Sequence, residues 1–129
     1  AGKGELTPNS DRCLYQGPVN HECLPYFYSA SDVFVLPTLN EGCSNAIIEA
    51  MACGLPIISS NLPFNDDILD ETCSIQVDPL NVEELKSAIN SLVTNNRLRN
   101  NLLVGSLNKS QELTLNKRAR NILKYIEKK

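Results

Sequence analysis

The stretch that most constrains the fold is the one around residues 40–56, Asn40-Glu41-Gly42-Cys43-Ser44-Asn45-Ala46-Ile47-Ile48-Glu49-Ala50-Met51-Ala52-Cys53-Gly54-Leu55-Pro56. It reads as a loop, a helix start, about two turns of helix and a stop. Ser44 or Cys43 can cap the start, and Gly54 followed by Pro56 ends it. Ala46, Ala50 and Gly54 recur at i, i+4 and i+8, so one face carries little side chain and can lie close against a strand. Ile47, Ile48 and Met51 supply the bulkier apolar contacts. Two carboxylates bracket the helix start, Glu41 before it and Glu49 in its second turn. The first-turn amides between them have no intrahelical acceptor and carry a partial positive charge of roughly half a unit. Such a place offers donors for phosphate oxygens and acceptors for sugar hydroxyls, which suits a nucleotide sugar. Spacing alone is equally consistent with an ordinary capped helix between two solvated acids.

Apolar runs of strand length flank this helix. Residues 33–36 (Val-Phe-Val-Leu) are bounded by Asp32 and Pro37, and residues 56–60 begin Pro-Ile-Ile. Continuous apolar strands around a helix predict a parallel sheet covered on both faces. Residues 13–16, stopped by Gly17 and Pro18, form a short strand candidate, and residues 74–77 another, which makes about four strands. Asn20 can cap a helix over residues 21–30, with Pro25 tolerated in its first turn. Residues 66–70 suggest a single helical turn.

Beyond Pro79 the chain turns helical. Asn81 with Glu84 three residues on is a capping-box variant. Leu85, Ala88, Ile89, Leu92 and Val93 then give a clean apolar face. A less regular helix, interrupted by Gly105, is expected over residues 96–113. The last, over residues 115–127, puts Ala119, Ile122, Leu123 and Ile126 on one side. Lys117, Arg118, Arg120 and Lys124 make its other side basic, read here as a solvated face. The expectation is one α/β domain over residues 1–129, a partial Rossmann-like parallel sheet of about four strands with flanking helices. Residues 95–129 form its helical C-terminal part. In such sheets ligands sit beyond the carboxyl ends of the strands, where the loop carrying Glu41 leaves the strand at residues 33–36. That position favours a ligand site over a merely capped helix.

Composition removes several alternatives. With 129 residues, 42% hydrophobic content and a net charge of −3, this is an ordinary globular composition. No basic excess interleaves with aromatics, so nucleic acid is not an expected partner. No apolar run approaches a membrane span, and no signal peptide is visible. Five cysteines, at 13, 23, 43, 53 and 73, include no close pair, and His21 is the lone histidine. Free thiols in a reducing cytoplasm are therefore expected, with no metal site.

The motif Glu41-x7-Glu49-Ala50-Met51-Ala52-Cys53-Gly54-x-Pro56, preceded by Ser31-Asp32-Val33-Phe34-Val35-Leu36-Pro37 and by Gly17-x-Val19, resembles the C-terminal, donor-binding domain of family 4 retaining glycosyltransferases of the GT-B fold. The resemblance runs from about Tyr15 to Leu92. It implies that Glu41 takes the catalytic position, binding donor-sugar hydroxyls near the reacting carbon. Gly42 would let the backbone approach the sugar, and the amides of Cys43, Ser44, Asn45 and Ala46 would face the diphosphate. Glu49 would accept from the ribose diol, while Gly17 and Val19 lie near the nucleobase. The substrate implied is a UDP- or GDP-linked sugar, with no cofactor. The implied location is cytoplasmic, with a peripheral place on the inner face of the membrane for the whole enzyme.

The resemblance also marks departures. The family supplies an Arg and a Lys upstream of the first glutamate to neutralise the leaving phosphates. Neither Lys3 nor Arg12 sits in that motif. The acceptor domain and the first strands of the donor domain have no counterpart here, so the sequence reads as a fragment, inactive alone. The strand at residues 33–36 would then have an open edge, expected either to re-pair or to self-associate. Three rival readings are a GT-B epimerase or phosphorylase, a non-catalytic nucleotide-sugar-binding module, and a flavodoxin-like signalling domain using Asp66 and Asp67.

Overall fold

A computed structural model of the chain describes residues 11–41 and 44–127. A 3-10 turn, His21–Cys23, leads into α1, Leu24–Ser29. Then follow β1 (Phe34–Leu36), α2 (Asn45–Ala52), β2 (Ile57–Ser60), a 3-10 turn at Pro63–Asn65 and β3 (Ser74–Val77). Three helices complete the described chain: α3, Val82–Thr94; α4, Asn96–Glu112; and α5, Leu115–Glu127. The sheet is parallel, in the order β1-β2-β3, with Phe34 opposite Ile57 and Ile57 opposite Ser74. This is the Rossmann-like α/β arrangement expected, with three strands rather than four among the described residues.

The alternation of side chains along a strand makes the two layers. Ile57 packs with Ile47, Ala50 and Met51 of α2 and with Leu69 and Cys73. The next residue, Ile58, packs on the other side with Val77, Ala88, Leu92 and Leu102. All four residues of β2 are buried, as a central strand covered on both faces requires. Gly54 takes φ +79° just past α2, and a side chain there would meet Leu103 and Leu107 of α4. The small face of α2 therefore ends against a helix, where a strand was expected.

The expected strand at residues 13–16 does not form. A strand exists only with a partner, and no described segment supplies one. Tyr15 instead donates its hydroxyl to the carbonyl of Pro18 at 2.8 Å and sets its ring edge-on to Phe27, 5.6 Å between centroids. Leu14 is 96% exposed. The turn expected at residues 66–70 begins earlier than expected: a 3-10 turn led by Pro63, whose fixed φ suits a first helical position, runs on into a turn over residues 66–68 closed by Leu69 N–H to the Asn65 carbonyl at 2.8 Å. The outer edge of β1 is left without a strand among the described residues, and Val35 at its centre is 38% exposed.

Candidate functional site

The site is built at the start of α2. Ser44 occupies the N-cap position in an extended conformation, yet its side chain caps nothing. The first helical bond is Ile48 N–H to the Ser44 carbonyl at 3.3 Å. The amides of Asn45, Ala46 and Ile47 therefore have no acceptor among the described residues. Ser44 is buried and Asn45 exposed, so one side of this end is sealed and the other faces outward. Gly42 and Cys43 lie outside the described residues.

A second feature adjoins it. A cavity of 510 Å³ lies beside β1, walled by α1, by the chain at Pro18 and Val19, and by α2. Val19, Ala46 and Glu49, each assigned to the site on sequence grounds, line it together. Phe27, Tyr28, Phe34 and Leu36 make most of its wall apolar, and no described Lys or Arg lines it. Gly17, at φ +145°, turns the chain just before Pro18. Glu41 is half-buried in the loop after β1 and does not line this cavity. The structure thus gathers Val19, a nucleobase candidate, and Glu49, the ribose candidate, into one hollow, while Gly17 does not line it. The sugar candidate stays on the neighbouring loop.

Tyr28 holds Glu49. Its hydroxyl donates to Glu49 Oε2 at 3.3 Å, and its ring stands edge-on to Phe34, 5.8 Å between centroids. Burial, and then the negative charge of Glu49, push the Tyr28 phenol up to about 12. The hydroxyl accordingly stays a donor at any working pH. On sequence grounds Tyr28 is only part of an apolar stripe with Leu24 and Phe27. A phenol within that stripe was the available signal, since a half-buried hydroxyl needs a partner.

The loop carrying Glu41 is anchored by a network that apolar patterning does not reveal. Ser59 Oγ donates to the carbonyl of Leu36 at 2.9 Å, and Ser60 Oγ donates to the carbonyl of Thr38. Asn65, fully buried, donates to Ser59 Oγ at 3.1 Å and to the Ser60 carbonyl at 2.7 Å. These bonds tie the carboxyl end of β2 to the chain leaving β1. They fix the departure of the loop toward α2 at the sheet edge where α/β folds place their ligands.

No group of three or more metal-ligating side chains occurs among the described residues. Cys13, Cys23, Cys53 and Cys73 are free thiols, and burial pushes the Cys73 thiol up. No helix among the described residues is long and apolar enough to cross a membrane.

Comparison with known proteins bears on the fold and the family. The chain is 36% identical over 75 residues to O-antigen chain mannosyltransferase B of Escherichia coli, covering 58% of this chain and 19% of that protein. It is 43% identical over 70 residues to an Escherichia coli UDP-Gal:alpha-D-GlcNAc-diphosphoundecaprenol alpha-1,3-galactosyltransferase, covering 54% and 18%. The chain thus spans about a fifth of the length of these relatives. Among solved structures it resembles sucrose-phosphate synthase from Thermosynechococcus elongatus, at TM-score 0.70 and 26% identity, covering 85% of this chain and 30% of that one. Residues 5–103 match the model of the glycosyl transferases group 1 family. With most of its length matched, and with a Rossmann-like α/β fold of the GT-B kind, this chain belongs to the glycosyl transferases group 1 family.

Proposed function

We propose that the chain is the donor-binding, C-terminal portion of a retaining glycosyltransferase of family 4. In this reading it holds a UDP- or GDP-linked sugar, whose glycosyl group passes to an acceptor bound by a separate N-terminal domain. The observation that carries the reading is the pairing of the uncapped start of α2 with the cavity lined by Val19, Ala46 and Glu49. The amides of Ser44, Asn45 and Ala46, with Gly42 and Cys43, would face the diphosphate. Glu49 would accept from the ribose diol. The apolar wall near Gly17 and Val19 would take the base, and Glu41 would bind the sugar hydroxyls. Retention fits a site where fixed donors meet the charge that develops on the leaving diphosphate, with no side-chain nucleophile.

On this reading the chain is inactive alone. An anion at one helix start gains up to about 2 kcal/mol in a partly buried geometry. Catalysis requires about 8 kcal/mol or more. Among the described residues no Lys or Arg lines the cavity to supply the rest. Calorimetric titration of UDP- and GDP-sugars tests this reading. Weak binding is expected, weaker still in Glu49→Ala, with no sugar transfer by the 129-residue chain. Equal affinity in both proteins removes Glu49 from the site, and measurable transfer refutes the inactivity.

The whole enzyme is further proposed to act in the cytoplasm, peripherally on the inner face of the membrane. One relative is named for an undecaprenol-linked acceptor, and an acceptor of that class would hold an enzyme at a lipid surface. Helix α5 has the chemistry for the contact. Leu115, Leu123 and Ile126 stay 81%, 57% and 62% exposed, and Lys117, Arg120 and Lys124 lie on its opposite side.

A further inference from the structure

Glu49 stands in a wall between two hollows. One is the 510 Å³ cavity beside β1. The other, of 260 Å³, lies on the side of His21, Pro25 and Cys53, and both Tyr28 and Glu49 line it too. An extended carboxylate in such a wall has room on either side, so something must choose its direction. The choice falls to the Tyr28 hydroxyl, which holds Oε2 at 3.3 Å. The ring that carries it is itself fixed by its edge-on contact with Phe34. Oε1 accepts from no other described residue.

We infer that Tyr28 is a positioning residue of the nucleotide site: its hydroxyl holds one oxygen of Glu49 and thereby presents the other to the vicinal hydroxyls of a bound ribose. The inference rests on the proposed role of Glu49 as the ribose acceptor. It adds a residue from α1, an element that the helix-start motif does not include. The chemistry is one of acceptance. Each ribose hydroxyl donates to a carboxylate oxygen, and a carboxylate already held by one neutral donor keeps its charge and its direction. Because the phenol stays protonated, it competes with neither hydroxyl for a proton.

The test compares UDP and GDP with their 2′,3′-dideoxy counterparts, by calorimetry or NMR titration, in four proteins and one control variant. These are the unaltered chain, Tyr28→Phe, Glu49→Ala and the double variant. The unaltered chain is expected to prefer the ribonucleotide. Tyr28→Phe is expected to reduce that preference roughly three- to tenfold, with little change in dideoxynucleotide affinity. Glu49→Ala should remove the preference, and adding Tyr28→Phe should then cost nothing further. Tyr28→Leu, also lacking the hydroxyl, must reduce the preference at least as much, which guards against a fault peculiar to Phe. A Tyr28→Phe protein that keeps the full preference, while Glu49→Ala loses it, overturns the positioning role and leaves Glu49 in place. A preference that survives Glu49→Ala, or is absent from the start, overturns the reading of Glu49 and this inference with it.

Discussion

Gly105 shows how a single residue can be read two ways. In the sequence it interrupts the apolar pattern of α4. In the structure it lets α4 pass against the backbone of Thr72. A Cβ there would lie 1.8 Å from the carbonyl oxygen of Thr72 and 2.6 Å from its carbon. The obstacle is backbone, which cannot swing aside as a side chain could. Alanine favours a helix interior by about 1 kcal/mol over glycine, but forcing α4 off the loop costs roughly 2–3 kcal/mol. Gly105→Ala is therefore expected to lower stability in a denaturant melt, and a gain would contradict the contact. The same loop is tied by Lys109 Nζ to Asp70 Oδ2 at 2.8 Å. Hydrogen bonds from Lys109 and then Thr72 hold the Asp70 carboxyl at about 2, against an ordinary 3.8. A depressed folded value stabilises the fold above the unfolded value and is lost as pH falls through the folded one. Stability should thus decline between pH about 4 and 2, and Asp70→Asn should flatten that decline while costing stability at neutral pH. An unchanged acid limb in Asp70→Asn would show that the pair contributes nothing.

At the scale of elements, legibility followed period and caps. The face Leu85, Ala88, Leu92 and the pair Asn81–Glu84 specified α3, and Asn81 Oδ1 does accept from the Glu84 amide at 3.1 Å. Glu84 itself reaches the amide of Asp78, at 3.3 Å, so the reciprocal half of the capping box is replaced by a tie to the preceding turn. Strand β3 was read to its ends, because Ser74 to Val77 sits between turn residues. Residues 13–16 were misread because strand propensity says nothing about whether a partner exists. The Ser59–Ser60–Asn65 network was invisible for another reason: two serines in a strand look solvated until the strand is known to be central. Helix α5 was read correctly as amphipathic, but its apolar side proves to be exposed as well. Six of the chain's 12 basic residues fall at or after Lys117. Vesicles rich in anionic lipid should therefore retain the chain, zwitterionic ones should not, and Leu123→Lys should release it. Equal recovery with both lipids, or undiminished retention of Leu123→Lys, would dismiss the membrane contact.

For the molecule as a whole, the central relation is between the sheet and the hollow at its edge. Glu49 and Val19 were marked as candidate site residues by the resemblance. That they share one cavity, while Glu41 stays outside its lining, required the fold. The hollow lies against β1, the strand whose outer edge has no described partner, so the site and the unpaired edge are neighbours. Amide shift mapping during titration with UDP and with GDP tests the account most directly. One nucleotide at least should move the resonances of Val19, Asn45, Ala46 and Glu49 together and saturably, leaving α3 unmoved. Shifts confined to other surfaces, or none at millimolar nucleotide, would contradict it.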